Sequence, residues 1–513
     1  GVAHQHQVGP RVIPGHPEDG IPDPRGIGCA AAKTVDGHGT HVEPELPQMP
    51  GNRVFHGQPV RKAVPADTGH EKQRELALHR PQLDPRARAR GLASALDAAG
   101  LLSFAEPDVR AARIRSTGST GAVAQSAAAS TPSWRARIVA AGLQPPPVSS
   151  QKRPLVLIDT LADLSLPGWA GGLASTLGSG AITSEHGTAT LSVAAAPDNG
   201  GVMRGVWPGM KAVNIPTSLT CSDIVTRLGQ AIALRPAAIN MSYGAADYCY
   251  SEYIALQRAV RNGITPVAAA GNEFFDGNPA EYPASLPHVI TVGALDRHNR
   301  SSYFSNENAA VDLAAPGEGI LAMVPLAFDT VDGKKDGLAK LDGTSFAAPM
   351  VAAAITWVRA ARPSLKSGQV AQIVRTSARD LGRKGWDSST GFGLLDIKAA
   401  LALPAPPNDP GEPNDDIQFV DGRLFGKRAP SILGSHGVKR AKFTAMVDRY
   451  EDPHDVYPVY IPAHGRLDVA LGPDWGDPDV DLVSAKATRV GTKRWRLASS
   501  HTRSEERRVG KEC

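Results

Sequence analysis

Residues 343–350 read Gly343-Thr344-Ser345-Phe346-Ala347-Ala348-Pro349-Met350, and the apolar run Val351-Ala352-Ala353-Ala354-Ile355 follows directly. The pattern predicts a buried helix that begins near Ser345, with small residues around its hydroxyl. The first backbone N–H groups of a helix have no partner within it and carry partial positive charge. A serine in this place can attack a carbonyl group while the helix start holds the developing oxyanion. The alternative is a serine that only caps a buried helix.

A nucleophilic serine needs a base and an acid that orients the base, and candidates for both lie upstream. The apolar run 154–159 ends at Asp159. It predicts a buried parallel strand with a carboxylate at its C-terminal end, where open α/β sheets place their chemistry. His186 and Gly187 stand at the start of another apolar helix, and the glycine permits a close backbone approach. Taken singly, Asp159 could be a strand-end cap and His186 a helix-start residue.

The fourth candidate is Asn272, which follows a predicted strand that ends in Ala269-Ala270-Gly271. Its side-chain amide could donate a hydrogen bond to an oxyanion. In the chain order Asp159, His186, Asn272, Ser345, these motifs resemble the subtilisin-like serine proteases over residues 132–402. The resemblance implies a serine endopeptidase with an Asp-His-Ser triad, an acyl-enzyme intermediate, and no cofactor for catalysis.

A second histidine motif, Asp36-Gly37-His38-Gly39-Thr40-His41, matches the histidine motif of this family more closely than the sequence around His186 does. No apolar strand precedes it, and the prolines after it leave no room for a helix. We therefore expect His186, not His38, to be the base. The motif at His186 departs from the family pattern at Ala189 and Thr190, neither of which carries the proton transfer.

The same resemblance implies where a substrate binds. Its S1 pocket would have two backbone walls, whose exposed edges bind an extended peptide. They comprise Ser242, Tyr243 and Gly244 on one side and Ala269, Ala270 and Gly271 on the other. Glu273 stands at the rim and Glu281 aligns with the pocket base, which favours Lys or Arg at the P1 position of the substrate. The alternative is that both are solvated loop carboxylates.

Short apolar strands alternate with helices between residues 150 and 402. This alternation predicts an α/β fold with a doubly wound parallel sheet and helices on both faces. Expected strands are 154–159, 211–216, 237–242, 264–270 and 288–293, and expected helices are 187–196, 222–234, 251–262, 345–360 and 364–378.

The other segments have different characters. Residues 1–70 are rich in Pro, Gly and His and read as a disordered leader or a mistranslated segment. Residues 71–131 resemble a subtilase propeptide followed by a Ser/Gly/Ala-rich linker, which implies that the chain carries its own intramolecular inhibitor. Residues 403–502 resemble a truncated pre-peptidase C-terminal domain, a small β-sandwich of secreted bacterial proteases. Residues 503–513 read as the translation of a sequencing adapter.

Composition narrows the range of partners. A net charge of +4 over 513 residues, with scattered basic side chains, gives no nucleic-acid signature, and no apolar run is long enough for a membrane span. The expected partners are therefore polypeptide substrates. The family resemblance favours a secreted, extracellular protein, although no signal peptide is visible in this sequence. Two competing functions remain, a catalytically silent binding scaffold and a sedolisin-like acid peptidase, which should have Glu and Asp in place of His186 and Asn272.

Two further features concern stability. Cys221 and Cys249 each follow a predicted strand at the start of a helix, and adjacent parallel strands could bring them together, so we predict a disulfide bond. Many relatives in the family bind Ca²⁺ in a loop after the histidine helix. Asp198 and Asn199 could supply oxygen ligands there, with an Asx-rich turn as the alternative.

Overall fold

The computed structural model of the protein describes residues 6–13, 27–33, 108–113, 117–118, 134–198, 200, 203–308, 310–330, 332–433, 440–448, 452–462, 465–473 and 479–500. Several expectations lie outside these residues. They concern the His38 motif, the propeptide-like residues 71–107, most of the linker, Asn199, and the adapter-like residues 503–513.

The described strands are β1 His6–Ile13, β2 Ile27–Lys33, β3 Ala112–Arg113, β4 Thr117–Gly118, β5 Leu155–Asp159, β6 Leu173–Thr176, β7 Lys211–Pro216, β8 Ala238–Met241, β9 Tyr243–Gly244, β10 Thr265–Ala269, β11 Ile290–Leu295, β12 Leu313–Pro316, β13 Ile320–Met323, β14 Leu338–Asp342, β15 Phe443–Ala445, β16 His454–Tyr460, β17 Arg466–Pro473, β18 Asp479–Ser484 and β19 Arg496–Ser500.

The described α-helices are α1 Arg135–Ile138, α2 His186–Ala195, α3 Cys221–Ala233, α4 Tyr250–Arg261, α5 Thr344–Ala361, α6 Ser367–Thr376, α7 Ile397–Ala402 and α8 Ile417–Val420.

A parallel sheet of seven strands forms the centre of the α/β region, in the order β6-β7-β5-β8-β10-β11-β12. From β5 the chain runs to the edge strand β6, returns to β7 beside β5, and then continues with β8 on the other side of β5. The carboxyl end of β5 therefore lies at a point where the winding direction changes, which is where open α/β sheets bind ligands. The predicted doubly wound fold is confirmed.

The strand β5 explains why helices cover both faces. All five of its residues are buried, and alternate side chains point to opposite faces. Leu155 and Leu157 belong to one apolar cluster, which also holds buried residues of α2 and α5. Val156 and Ile158 belong to a second cluster with residues of α3 and α4. A strand that is apolar throughout is thus stable only between two layers of helices.

After α7, the strands β15 to β19 form two antiparallel sheets together with the N-terminal strands β1 and β2, in the orders β15-β1-β17 and β16-β2-β18-β19. A separate apolar cluster contains Val459 of β16, Leu467 and Val469 of β17, and Val480 and Leu482 of β18. It therefore draws on strands of both sheets. The assignment of residues 403–502 to a distinct domain stays a prediction.

The segment expected to be a disordered leader differs from that expectation in part. His6–Ile13 pairs antiparallel with β15 and β17, and Ile27–Lys33 lies between β16 and β18. Strand pairing uses backbone groups, which every non-proline residue offers, so a composition rich in Pro and Gly does not reveal it.

Candidate active site

Asp159 and His186, which are 27 positions apart in the chain, are brought together by the end of β5 and the start of α2. His186 Nδ1 lies 2.7 Å from Asp159 Oδ1. Both side chains are buried, with 3% and 2% of their side-chain surface exposed. A buried carboxylate beside one ring nitrogen fixes the neutral tautomer that carries its proton on Nδ1 and leaves Nε2 as an acceptor.

Gly187 allows this close approach. A Cβ atom at position 187 would clash with the carbonyl oxygen of Thr160, the residue that follows β5. The Gly187 backbone N–H donates to Thr160 Oγ1 at 2.8 Å, which ties the first turn of α2 to the end of β5. The expectation that the glycine permits close contact agrees with this packing.

Thr190 is a residue that the sequence reasoning missed. Its Oγ1 donates to Asp159 Oδ2 at 3.0 Å, on the carboxylate oxygen that His186 does not contact. The Thr160 backbone N–H also donates to Oδ1, at 2.7 Å. The spacing could have revealed this contact, because Thr190 lies four residues after His186 and so one helical turn further along the same face.

Ser345 lies in the first turn of α5, which begins at Thr344 as the sequence predicts to within one residue. Its hydroxyl lies 3.4 Å from the carbonyl oxygen of Ser242. The next residue, Phe346, places its ring 6.0 Å from the imidazole ring of His186, centroid to centroid. The helix start and the histidine are therefore neighbours. Within the described part of the chain, His186 Nε2 has no hydrogen-bond partner.

Pro349 affects the same turn in a way that the sequence did not reveal. Proline lacks an N–H group, so it cannot donate to the carbonyl oxygen four residues earlier, which is that of Ser345. Ser242 Oγ donates to this oxygen instead, at 2.9 Å. The helix that carries Ser345 is thereby attached to the segment that the family resemblance assigns to the S1 pocket.

Asn272 contacts the same helix start. Its Oδ1 accepts hydrogen bonds from the backbone N–H of Thr344 at 3.0 Å and from Thr344 Oγ1 at 2.9 Å. Its Nδ2 lies 3.2 Å from the position that a Cβ atom on Gly343 would take. With the carbonyl oxygen held by Thr344, the amide NH₂ group is presented beside the Gly343–Ser345 turn.

The two carboxylates expected at the S1 pocket lie against its two expected walls. A Cβ atom on Gly244 would lie 2.5 Å from Glu281 Oε2, and one on Gly271 would lie 2.9 Å from Glu273 Oε2. Backbone hydrogen bonds between Ala245 and Tyr282 fix the Glu281 segment beside the first wall. Burial, together with the charge of Glu273, raises the pKa of Glu281 to about 7.

A segment of the chain itself covers the outer edge of this region. Ala112–Arg113 pairs antiparallel with Tyr243–Gly244, and Arg110 forms a bridge with Thr220. Asp108 accepts hydrogen bonds from the backbone N–H and the hydroxyl of Ser222 in the first turn of α3. The end of the propeptide-like region therefore occupies a strand edge that the family resemblance assigns to substrate.

The remaining expectations concern the disulfide bond, calcium binding and membrane spans. Cys221 and Cys249 form a disulfide bond between the starts of α3 and α4, so that prediction is confirmed. Asp198 forms an ion pair with Arg204 at 3.2 Å, and calcium binding there stays a prediction. Among the helices that the structure describes, none combines the length and the apolar character needed to span a membrane.

Comparisons with known proteins agree with this geometry. A family model described as "Subtilase family" matches residues 179–393. Subtilisin DY of Bacillus licheniformis is 32% identical over 222 residues, which is 42% of this chain and 77% of that protein. Fervidolysin of Fervidobacterium pennivorans is 31% identical over 245 residues, or 43% of this chain, but the match spans only 35% of its length.

Among solved structures, the subtilisin-like protease Apa1 of the Antarctic psychrotroph Pseudoalteromonas sp. AS-11 covers 53% of this chain, with 97% of its own length matched. Its identity is 18% and its TM-score 0.47. The match to subtilisin DY is the decisive one, because it combines 32% identity with coverage of 77% of that protein. The range of the family model includes His186, Asn272 and Ser345. The chain belongs to the subtilase family.

Proposed function

We propose that this protein is a secreted serine endopeptidase in which Ser345 is the nucleophile, His186 the base and Asp159 the residue that orients it. The carrying observation is the 2.7 Å contact between His186 Nδ1 and Asp159 Oδ1. That contact leaves His186 Nε2 as the proton acceptor, next to the helix start that holds Ser345.

The chemistry has two halves. In the first, Ser345 Oγ bonds to the peptide carbonyl carbon while His186 Nε2 takes the hydroxyl proton. The charge on the carbonyl oxygen is stabilised by the Asn272 amide and the Ser345 backbone N–H. The C–N bond then breaks, and His186 gives its proton to the leaving amine. In the second half, water attacks the acyl-enzyme with His186 again as base, which releases the acid and restores Ser345.

A fluorophosphonate probe on the full chain tests the assignment, because it reacts only with an activated serine. We expect one label per molecule, on Ser345. In Ser345→Ala, kcat for peptide hydrolysis should fall by a factor on the order of 10⁶. Ser165→Ala is a matched control, because Ser165 is exposed and its hydroxyl donates to the nearby Asp163. A folded chain that takes no label and cleaves no peptide would favour the silent scaffold.

We further propose a preference for Arg or Lys at P1. Glu281 lies against Gly244 and Glu273 against Gly271, on the two expected walls of the S1 pocket, and a cation placed between them would offset the burial of the Glu281 carboxylate. In Glu281→Gln, kcat/KM for a P1 Arg peptide should fall by about tenfold or more, the effect of one lost charge-assisted hydrogen bond. The value for the matching Phe peptide should change less than twofold. A wild-type enzyme that prefers Phe contradicts the proposal.

The segment 108–113 supports inhibition by the chain's own propeptide. Its strand pairing with Tyr243–Gly244 uses backbone groups that a substrate would need. We expect the wild-type chain to cut itself after residue 113 and the Ser345→Ala chain to stay intact, as read by mass spectrometry. Cleavage of the Ser345→Ala chain at the same bond during purification would show that another protease makes the cut. The Cys221–Cys249 disulfide supports secretion, since such bonds persist in oxidising compartments.

A further inference from the structure

A cluster of four carboxylates lies outside the site described so far. Asp409 and Glu412 come from the segment after α7, Asp452 precedes β16, and Asp455 belongs to β16. Each offers one oxygen, and these oxygens all lie within 4.8 Å of one another. Asp452 and Asp455 are 3% and 1% exposed. We call this group the acidic cluster.

Its charge has little compensation from the protein. In the described residues, Asp409, Asp452 and Asp455 form no ion pair with Lys or Arg, and Glu412 pairs only with His288, at 3.4 Å. Four carboxylates gathered away from water therefore need either shared protons or a cation.

A neutral side chain gives an independent indication. Asn414 is 1% exposed, and its Nδ2 donates to Asp455 Oδ1 at 2.9 Å, which places its amide at the edge of the cluster. Asn414 Oδ1 has no hydrogen-bond partner in the described structure, and neither do Asp452 Oδ1, Asp455 Oδ2 and Glu412 Oε1. A buried oxygen without a partner costs free energy, and a cation bound in the cluster would take the Asn414 oxygen as a ligand together with the carboxylate oxygens.

The type and number of ligands indicate which cation. Carboxylate and amide oxygens are hard ligands, which Ca²⁺ and Mg²⁺ prefer. Ca²⁺ takes about six to eight such oxygens in a flexible geometry, whereas Mg²⁺ keeps several waters and is usually held by only one or two carboxylates. We propose that the acidic cluster, with Asn414, is a Ca²⁺ site that links the segment after α7 to β16.

The site has access to solvent and a connection to the α/β region. A cavity of about 380 Å³ is lined by Asp409, Glu412 and Asp452 on one side and by residues of α4, β10 and α6 on the other. His288, which precedes β11, lies 2.9 Å from Asp415 as well as 3.4 Å from Glu412. A bound Ca²⁺ would fix Glu412 and so stabilise the contact of this segment with His288.

Calorimetric titration of the full-length Ser345→Ala chain, freed of metal with a chelator, tests the proposal. We expect Ca²⁺ to bind and to raise Tm by at least about 3 °C at saturation, with Mg²⁺ giving less than half that shift. In Asp452→Asn with Asp455→Asn, Ca²⁺ affinity at this site should fall at least 100-fold. Asp421→Asn, whose carboxylate pairs with Arg423, is the matched control and should bind Ca²⁺ as the parent does.

The variant Asp198→Asn removes the calcium ligand predicted in the loop after α2. Ca²⁺ binding at the acidic cluster should persist in it, which distinguishes the two sites. The proposal is overturned if Ca²⁺ stabilises the Asp452/Asp455 double variant as much as its parent, or if the parent binds no Ca²⁺.

A second measurement does not depend on the folding of the double variant. Tyr457 Oη donates to Asp455 Oδ1 at 3.0 Å, so its phenol should sensitise the luminescence of Tb³⁺ bound in the cluster. We expect Ca²⁺ to displace Tb³⁺ and so to reduce the emission. The emission should also fall at least threefold in Tyr457→Phe, which keeps all four carboxylates. Emission that is unchanged in Tyr457→Phe would place the ion elsewhere and contradict the proposal.

Discussion

Asp159 receives hydrogen bonds on both carboxylate oxygens, from Thr160 and His186 on one and from Thr190 on the other. The contact with Thr190 keeps the carboxylate in the plane that His186 requires. In Thr190→Val, which is nearly the same size, we expect kcat/KM to fall about 10-fold, since a hydrogen bond to a charged group contributes roughly 1.5–3 kcal/mol. Thr190→Ser keeps the hydroxyl and should stay within threefold of wild type.

Peptide kinetics on the wild type and the two variants measure this effect. A Thr190→Val enzyme with wild-type kinetics would show that Thr190 only fills space.

The raised pKa of Glu281 gives substrate preference a pH dependence. Its carboxyl is neutral well below pH 7 and charged well above it, because burial raises the pKa from 4.5 to about 7. The ratio of kcat/KM for P1 Arg over P1 Phe should therefore rise as pH increases through about 7. The ratio cancels any pH effect on catalysis that both substrates share. In Glu281→Gln it should be flat, and a wild-type ratio that falls with pH contradicts the role of Glu281.

The free energy of unfolding also depends on the protonation of Glu281, but it decreases as pH rises. A carboxyl whose folded pKa is raised stabilises the fold below its unfolded pKa, and this contribution is lost as pH rises through the folded value. The wild type should thus lose Tm relative to Glu281→Gln between about pH 4.5 and pH 7, with a constant difference at higher pH, which calorimetry can follow.

At the scale of elements, the contact between β5 and α2 depends on Gly187. A methyl group there would clash with the Thr160 carbonyl oxygen and move His186 away from Asp159. Gly187→Ala should lower kcat/KM at least 100-fold and reduce Tm. Gly229→Ala is the matched control, because it lies within α3 with no atom near its Cβ position, and it should be neutral or stabilising by up to about 1 kcal/mol. If Gly187→Ala and Gly229→Ala changed kcat/KM and Tm equally, the proposed role of Gly187 would be wrong.

How far the sequence predicts an element depends on whether its pattern is local. The strands β5, β7, β8, β10 and β11 could be predicted because continuous apolar runs mark buried strands. The edge strand β6 could not, since its residues are exposed or half-buried and carry no such run. The pairing of Ala112–Arg113 with β9 is a long-range backbone contact, which no side-chain pattern encodes.

The site follows the same rule. Asp159, His186, Asn272 and Ser345 could be proposed from motifs in a fixed order. Asn414 and Asp455 could not be linked, because they are 41 positions apart and meet only in the folded chain.

At the scale of the whole molecule, the disulfide joins two helices on one face of the sheet. It closes a loop between positions that are 28 residues apart. Replacing both cysteines by serine should lower the free energy of unfolding by roughly 3–4 kcal/mol, the value that a loop of this length implies. Urea unfolding with and without a reducing agent measures it. Reduction should shift the wild-type midpoint and leave the double variant unchanged; a wild type that is insensitive to reduction contradicts the estimate.

The strand pair between Ala112–Arg113 and Tyr243–Gly244 means that any polypeptide substrate competes with a segment of the chain itself. A tethered segment is present at an effective concentration of the order of millimolar, however dilute the protein is. A foreign chain must outcompete it until the tether is cut and the severed piece diffuses away. Diluting the intact chain would then leave its latency unchanged, whereas diluting the cut chain would release its activity.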